Sequence, residues 1–172
     1  MDKFDKILKV ISSNYYKDYM GKEQFQIPES ELRSKAEKDG ITKLVVGVAV
    51  AKDGRVLIVR RVPDDYLGGN YELPGGGVDE GESIEDSVKR ETLEETGLRV
   101  LAILSMHRGL DYETSSNKVR QFNFLVDTLE GEVKLEPSEH DSFEWISEAD
   151  LDKYPITNEM RNSIKQLIED LR

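Results

Sequence analysis

The chain has 172 residues, enough for one domain with a sizeable core and short for two. Its formal charge of -11 argues against a nucleic acid polymer as partner, because that binding rests on Lys and Arg neutralising phosphates. The absence of cysteine excludes disulfides, thiolate catalysis and cysteine-based zinc sites.

Phe4, Leu8, Ile11 and Tyr15 recur at i, i+4, i+7 and i+11, which predicts a helix whose apolar face docks on another surface. No hydrophobic leader accompanies the mixed charges of Met1 to Lys6, so a cytoplasmic protein is expected. Tyr15, Tyr16 and Tyr19 suit ordinary packing, a homodimer interface or a substrate wall. Glu29 to Asp39 reads as a short polar helix ending at Gly40. Residues 1–40 therefore form an expected helical extension, and 41–172 the main domain.

Ile41 to Ala51 is rich in β-branched residues, and Asp53-Gly54 turns it into Val56 to Arg61 as a hairpin. Gly47 interrupts the first strand and marks a bulge or a close backbone approach. Leu44 to Ala51 is the longest apolar run and falls short of the roughly 20 residues a membrane span needs, so no membrane partner is expected. Val62 to Asn70 is a loop, and Tyr71 to Leu73 a short strand before Pro74.

Gly75 to Leu98 is the most informative stretch. Three glycines lead into a helix expected from about Ser83, a candidate N-cap with Asp86 three residues on, to Thr96, with Gly97 as a left-handed cap. At about 100° per residue, Ile84, Val88, Glu91 and Glu95 share one stripe, with Glu94 beside it. A core-facing helix would carry Leu, Ile or Val at 91 and 95. Like charges at i,i+4 cost about 0.2–0.5 kcal/mol per pair, and acids at the negative end of the helix dipole about 0.3–1 kcal/mol more each. A bound cation would offset both penalties; a solvated charged face is the plainer alternative.

Beyond the helix, Leu98 to His107 reads as a strand, Gly109 to Lys118 as a polar loop, and Val119 to Asp127 as a strand with at least one buried face. Gly131 turns the chain into Val133 to Leu135, and Phe143 and Trp145 lie on one side of a further short strand. Met160, Ile164, Leu167, Ile168 and Leu171 form the apolar stripe of a final helix after Pro155. The element order suggests an α/β domain, a mixed sheet with helices packed on it.

Spelled as a pattern, the central stretch has Gly76, five residues, Glu82, seven residues, Arg90-Glu91-Thr92-Leu93-Glu94-Glu95, one residue, and Gly97-Leu98. This resembles the Nudix box, the signature of hydrolases acting on nucleoside diphosphates linked to another moiety X. Gly76, Glu82, Arg90, Glu91, Glu94, Glu95 and Gly97 match at the correct spacing; Thr92 departs from an aliphatic position that faces packing. The resemblance implies a Nudix-type α/β/α sandwich. It also implies Mg²⁺-dependent cleavage of a phosphoanhydride to a nucleoside monophosphate and phosphorylated X, with Mn²⁺ as a substitute cation.

Hard dications prefer oxygen donors. Glu91, Glu94 and Glu95 supply carboxylates; by resemblance Glu91 and Glu95 are the principal ligands and the Gly75 carbonyl a further one. Arg90 is expected to orient a carboxylate and Glu82 to support the group. Glu91 and Glu94 are candidate general bases within the box, Glu113 and Glu139 outside it. Arg60 and Arg61 close a strand near the loop, where only one can face inward, and with Glu139 are candidate substrate contacts. His107 and His140 are read as satisfied or exposed.

The small nucleotide substrate is not narrowed by signals beyond the box. The proline that ADP-ribose hydrolases tend to carry downstream is absent, residues 112–115 being Tyr-Glu-Thr-Ser. Three readings stand: hydrolysis of an ADP-ribose or nucleotide-sugar type substrate, sanitation of oxidised or non-standard nucleoside triphosphates, and a silent nucleotide-binding regulatory module.

Overall fold

A computed structural model describes residues 25–172. The N-terminal helix and the three tyrosines expected there lie outside the described residues. The elements are α1 (Glu29–Lys38), β1 (Lys43–Lys52), β2 (Arg55–Arg61), β3 (Tyr71–Glu72), β4 (Gly75–Gly77) and α2 (Ile84–Thr96). They continue with β5 (Val100–Glu113), β6 (Lys118–Thr128), β7 (His140–Ile146), a 3₁₀ turn over Glu148–Lys153 and α3 (Asn158–Glu169).

The sheet is mixed, as expected. Its order is β3-β2-β1-β6-β5; β1 and β6 run parallel from Lys43/Val119 to Val50/Val126, and the remaining pairs are antiparallel. β1 changes partner along its length. Its first half pairs with β4 at Val45 to Gly47, and its last two residues pair with β2 through the Asp53-Gly54 turn. The sheet therefore splits beside β1, with β3, β4 and the Pro74 carbonyl, which accepts from Val48 N–H at 2.7 Å, crossing the gap.

Strand alternation sends side chains to two cores. Val46, Val48, Val50, Phe122, Phe124 and Val126 meet Ile84 and Val88 of α2 on one face. Ala49, Val56, Ile58 and Leu125 meet Ile164, Leu167 and Ile168 of α3 on the other. Phe122 and Phe124 are almost completely buried, worth about 1.5–3 kcal/mol each. The outcome is the expected α/β/α arrangement.

Two segments differ from expectation. β5 continues through Gly109 to Glu113, and only residues 114–117 form the loop, closed by Thr114 N–H on the Asn117 carbonyl at 2.8 Å. Its charged residues suit an edge strand: Arg120 of β6, nearly buried, donates to Asp111 at 2.7 and 2.8 Å and to Asp39 at 2.9 Å. Val133 to Leu135 has no regular structure. That segment follows the end of α2, with Lys134 N–H donating to the Thr96 carbonyl at 2.8 Å.

Candidate active site

α2 forms the floor of the site, and its ends are built as the sequence predicts. Ser83 Oγ accepts from Asp86 N–H at 3.0 Å, and Gly97, at φ 71°, takes the left-handed position that strains a side chain. Glu29 of α1 adds a second acceptor for the helix start, at 3.2 Å from Ile84 N. Thr92 is fully buried and donates to the Val88 carbonyl, so this departure from the box serves packing.

The stripe reading holds in part. Glu91 and Glu95 are buried, at 8% and 3% exposure, while Glu94 is exposed on the rim. Glu95 Oε2 accepts from Gly75 N–H at 2.8 Å, joining the far end of α2 to the glycine loop. A Cβ on Gly76 would lie 2.6 Å from the Glu91 carboxyl carbon and 2.7 Å from Oε2, so the loop is a cradle for that carboxylate.

Arg90 links the group. Its Nε and Nη2 donate to the two oxygens of Glu82 at 2.8 and 2.9 Å, Nη1 donates to Glu91 at 2.6 Å and to Glu94 at 3.3 Å, and Nη2 also reaches the Gly77 carbonyl at 2.9 Å. This is a forked, half-buried network and not an isolated surface pair. Bonding to Arg90 lowers the Glu82 pKa. Burial raises that of Glu91, with Arg90 opposing. Glu95 is pushed up to about 9, chiefly by burial; the Gly75 N–H opposes this, and the Glu139, Glu91 and Glu72 carboxylates add to it.

Glu139 joins the site from outside the box. Its charge raises both Glu91 and Glu95, and one of its oxygens groups with Glu95 and the His140 ring within 4.8 Å. Glu113 does not join; it sits at the end of β5, 3.6 Å from Lys118. Of the two arginines, Arg61 faces inward, bound to Glu72 at 2.7 Å and to Asp65, while Arg60 pairs with Asp141 at 2.7 Å and lies over the Tyr71 ring.

His107 pairs with Asp170 at 2.8 Å. His140 corrects the sequence reading. It is 3% exposed and only half satisfied: Nε2 contacts Glu72, while Nδ1 has no hydrogen-bond partner among the described residues and lies 3.9 Å from Glu95 Oε2. Glu72, 3.4 Å from His140 Nε2, was also missed. The adjacency of Glu139 and His140 just before a strand was the available signal.

A gap in a split sheet, lined by buried acids and a glycine cradle, suits a cation and a phosphate chain. The NUDIX domain family model matches residues 42–167. The chain belongs to the Nudix family. It is an enzyme of the Nudix type, a hydrolase of acid anhydrides in phosphorus-containing compounds. It is 31% identical over 119 residues to an 8-oxo-dGTP diphosphatase of Escherichia coli K12, covering 68% of this chain and 90% of that one. An ADP-ribose pyrophosphatase of Methanocaldococcus jannaschii is 33% identical over 87 residues, 49% of this chain and 50% of that one. The fold is like that of a MutT protein from Methanosarcina mazei, with a TM-score of 0.64 at 24% identity, over 74% of this chain and 94% of that one. Among the described residues no helix is long and apolar enough to cross a membrane.

Proposed function

We propose that this Nudix enzyme hydrolyses, with Mg²⁺, the phosphoanhydride of a nucleoside diphosphate linked to X, releasing a nucleoside monophosphate and phosphorylated X. The observation that carries the reading is the convergence of Glu91, Glu95 and the glycine strand β4, Gly75–Gly77, at the split in the sheet. The donor set fits a hard dication: two buried carboxylates, both with pKa values raised by burial, whose charged forms added positive charge would favour. Glu91, Glu95 and the Gly75 carbonyl would hold it, with Glu94 on the exposed rim. When bound, such an ion neutralises phosphate oxygens and makes water more acidic.

The chain's own residues do the positioning. Arg90 fixes Glu91 against the loop and keeps Glu82 ionised. Gly75 N–H fixes Glu95. Glu94 and Glu139, both exposed, are the acids available to take a proton from a water approaching the phosphate. Both arginines already hold acids, Arg60 holding Asp141 and Arg61 holding Glu72 and Asp65; Arg61 is the candidate substrate contact because its partner Glu72 reaches His140 beside Glu95. A role for the expected 1–40 extension in homodimerisation belongs to the same proposal, residues 1–24 lying outside the described residues.

A second reading, sanitation of oxidised or non-standard nucleoside triphosphates, is supported by the 90% coverage of the Escherichia coli relative. A product-resolved assay tests both: ADP-ribose, nucleotide sugars, dinucleoside polyphosphates and normal and oxidised nucleoside triphosphates, with and without Mg²⁺. Monophosphate plus phosphorylated X supports the first reading. Pyrophosphate from a triphosphate alone supports the second, and no metal-dependent cleavage of any substrate overturns both.

A further inference from the structure

His140 is the first residue of β7, opposite Arg61 across a register shift in β2. Its neighbours form a chain. Asp65 holds the Arg61 guanidinium, Arg61 Nη1 donates to Glu72 Oε1 at 2.7 Å, and the same oxygen lies 3.4 Å from His140 Nε2. A carboxylate on Nε2 assigns the ring proton to that nitrogen and leaves the Nδ1 lone pair free. Nδ1 is buried, without a partner among the described residues, and 3.9 Å from Glu95 Oε2. A buried acceptor with nothing to accept from costs about 1–3 kcal/mol.

We infer that Glu95, Glu139 and His140 form a mixed nitrogen and oxygen site that takes a divalent transition metal, Mn²⁺, Co²⁺ or Zn²⁺, in preference to Mg²⁺. The inference rests on the cleft reading above and adds a cation position between Glu95 and the His140 ring. Two donors held by one such ion at about 2.0–2.2 Å stand no more than roughly 4.4 Å apart, and Nδ1 and Oε2 meet that limit. Glu139 is exposed, so its side chain can close the remaining distance. The charge also suits a dication: two carboxylates face the position, and Glu72 is neutralised by Arg61. Imidazole selects first-row transition metals over Mg²⁺, which prefers all-oxygen shells. Glu72 then acts as the outer carboxylate that orients a ligating histidine.

The test is pulsed electron paramagnetic resonance on the full chain loaded with Mn²⁺, alongside Mn²⁺ titrations in excess Mg²⁺. The wild type is expected to show ¹⁴N coupling from a bound imidazole. In H140Q, which can still reach Glu72, that coupling disappears and Mn²⁺ binding at this position weakens at least about tenfold. E72Q is expected to keep the coupling and bind Mn²⁺ about 10–100-fold more weakly. H107Q serves as the control and leaves the coupling unchanged. Mg²⁺-dependent hydrolysis with no ¹⁴N coupling in the wild type overturns this inference and spares the proposed function. Coupling without Mg²⁺-dependent hydrolysis of any substrate supports the site and overturns the function. The wild-type spectrum decides even if H140Q fails to fold.

Discussion

Replacing Gly76 by Ala isolates the cradle from the rest of the fold. Gly76 lies outside the positive-φ region, so alanine meets no backbone strain there, and the whole effect comes from its Cβ. That atom would stand 2.6 Å from the Glu91 carboxyl carbon and 2.7 Å from Oε2. Since carbon and oxygen rarely approach closer than about 3.3 Å without strain, the carboxylate must retreat by roughly 0.6–0.9 Å. Glu91 is buried and bound to Arg90 at 2.6 Å, so the retreat disturbs that bond as well. A misplacement near 1 Å at a reacting centre costs about 10²-fold in rate. Stability should fall by only about 1 kcal/mol, because overpacking is partly offset by the lower chain entropy of unfolded alanine. For a chain of this size that is a Tm loss of roughly 2–4 °C. The assay is kcat across a Mg²⁺ titration, with thermal unfolding measured on the same sample. Activity within twofold of wild type, or loss of activity only through unfolding, would refute the cradle.

Arg90→Ala leaves Glu82 and Glu91 without their shared partner; discounted for partial exposure, the loss is about 2 kcal/mol, read as a Tm fall of roughly 4–8 °C, with activity lost as well. Arg120 lowers the Asp111 pKa below its unfolded value, so this pair stabilises the fold above the unfolded carboxylate range near pH 4, and its contribution is lost as pH falls through the folded value. Urea unfolding from pH 7 to 3 should therefore show a shallower acid decline in Asp111→Asn than in wild type. His107→Ala removes a contact with Asp170, and neither residue belongs to the Glu95, Glu139 and His140 group, so kcat is expected to stay within about twofold, measured with the same substrate.

What could be read from the chain was what is local. The caps at Ser83 and Gly97 and the Glu91 and Glu95 stripe fall within one helix and its ends, where spacing fixes geometry; Arg90 is expected only to orient a carboxylate, and the structure adds its bonds to Glu82. Glu94 shows the limit of that reading, since a residue beside the stripe can still lie on the solvent side. Alternation indicated that one of Arg60 and Arg61 faces inward, and the register of β2 against β3 decides which: it pairs Arg60 with Tyr71 and Val59 with Glu72, and Arg61, on the same face as Val59, reaches Glu72 diagonally. His140 was hidden because β7 reaches the cleft only by pairing with β2, a contact that no local pattern encodes. The β5 extension was hidden differently: an edge strand can carry Arg108 and Asp111 on its length, and such polar residues look like a loop.

The central claim is that buried carboxylates on α2 hold the metal that the reaction needs, and Glu95→Gln tests it most directly. Wild type and variant should be compared side by side for Mg²⁺-dependent hydrolysis, on the substrate that the wild type cleaves best, with thermal unfolding as the check on folding. Glutamine keeps the side chain's length and its acceptor for Gly75 N–H but removes the charge. The account predicts a loss of about 10²-fold or more in kcat with a folded protein of equal or higher Tm, since burial disfavours the glutamate charge that glutamine lacks. Near-normal turnover by the folded variant would contradict it.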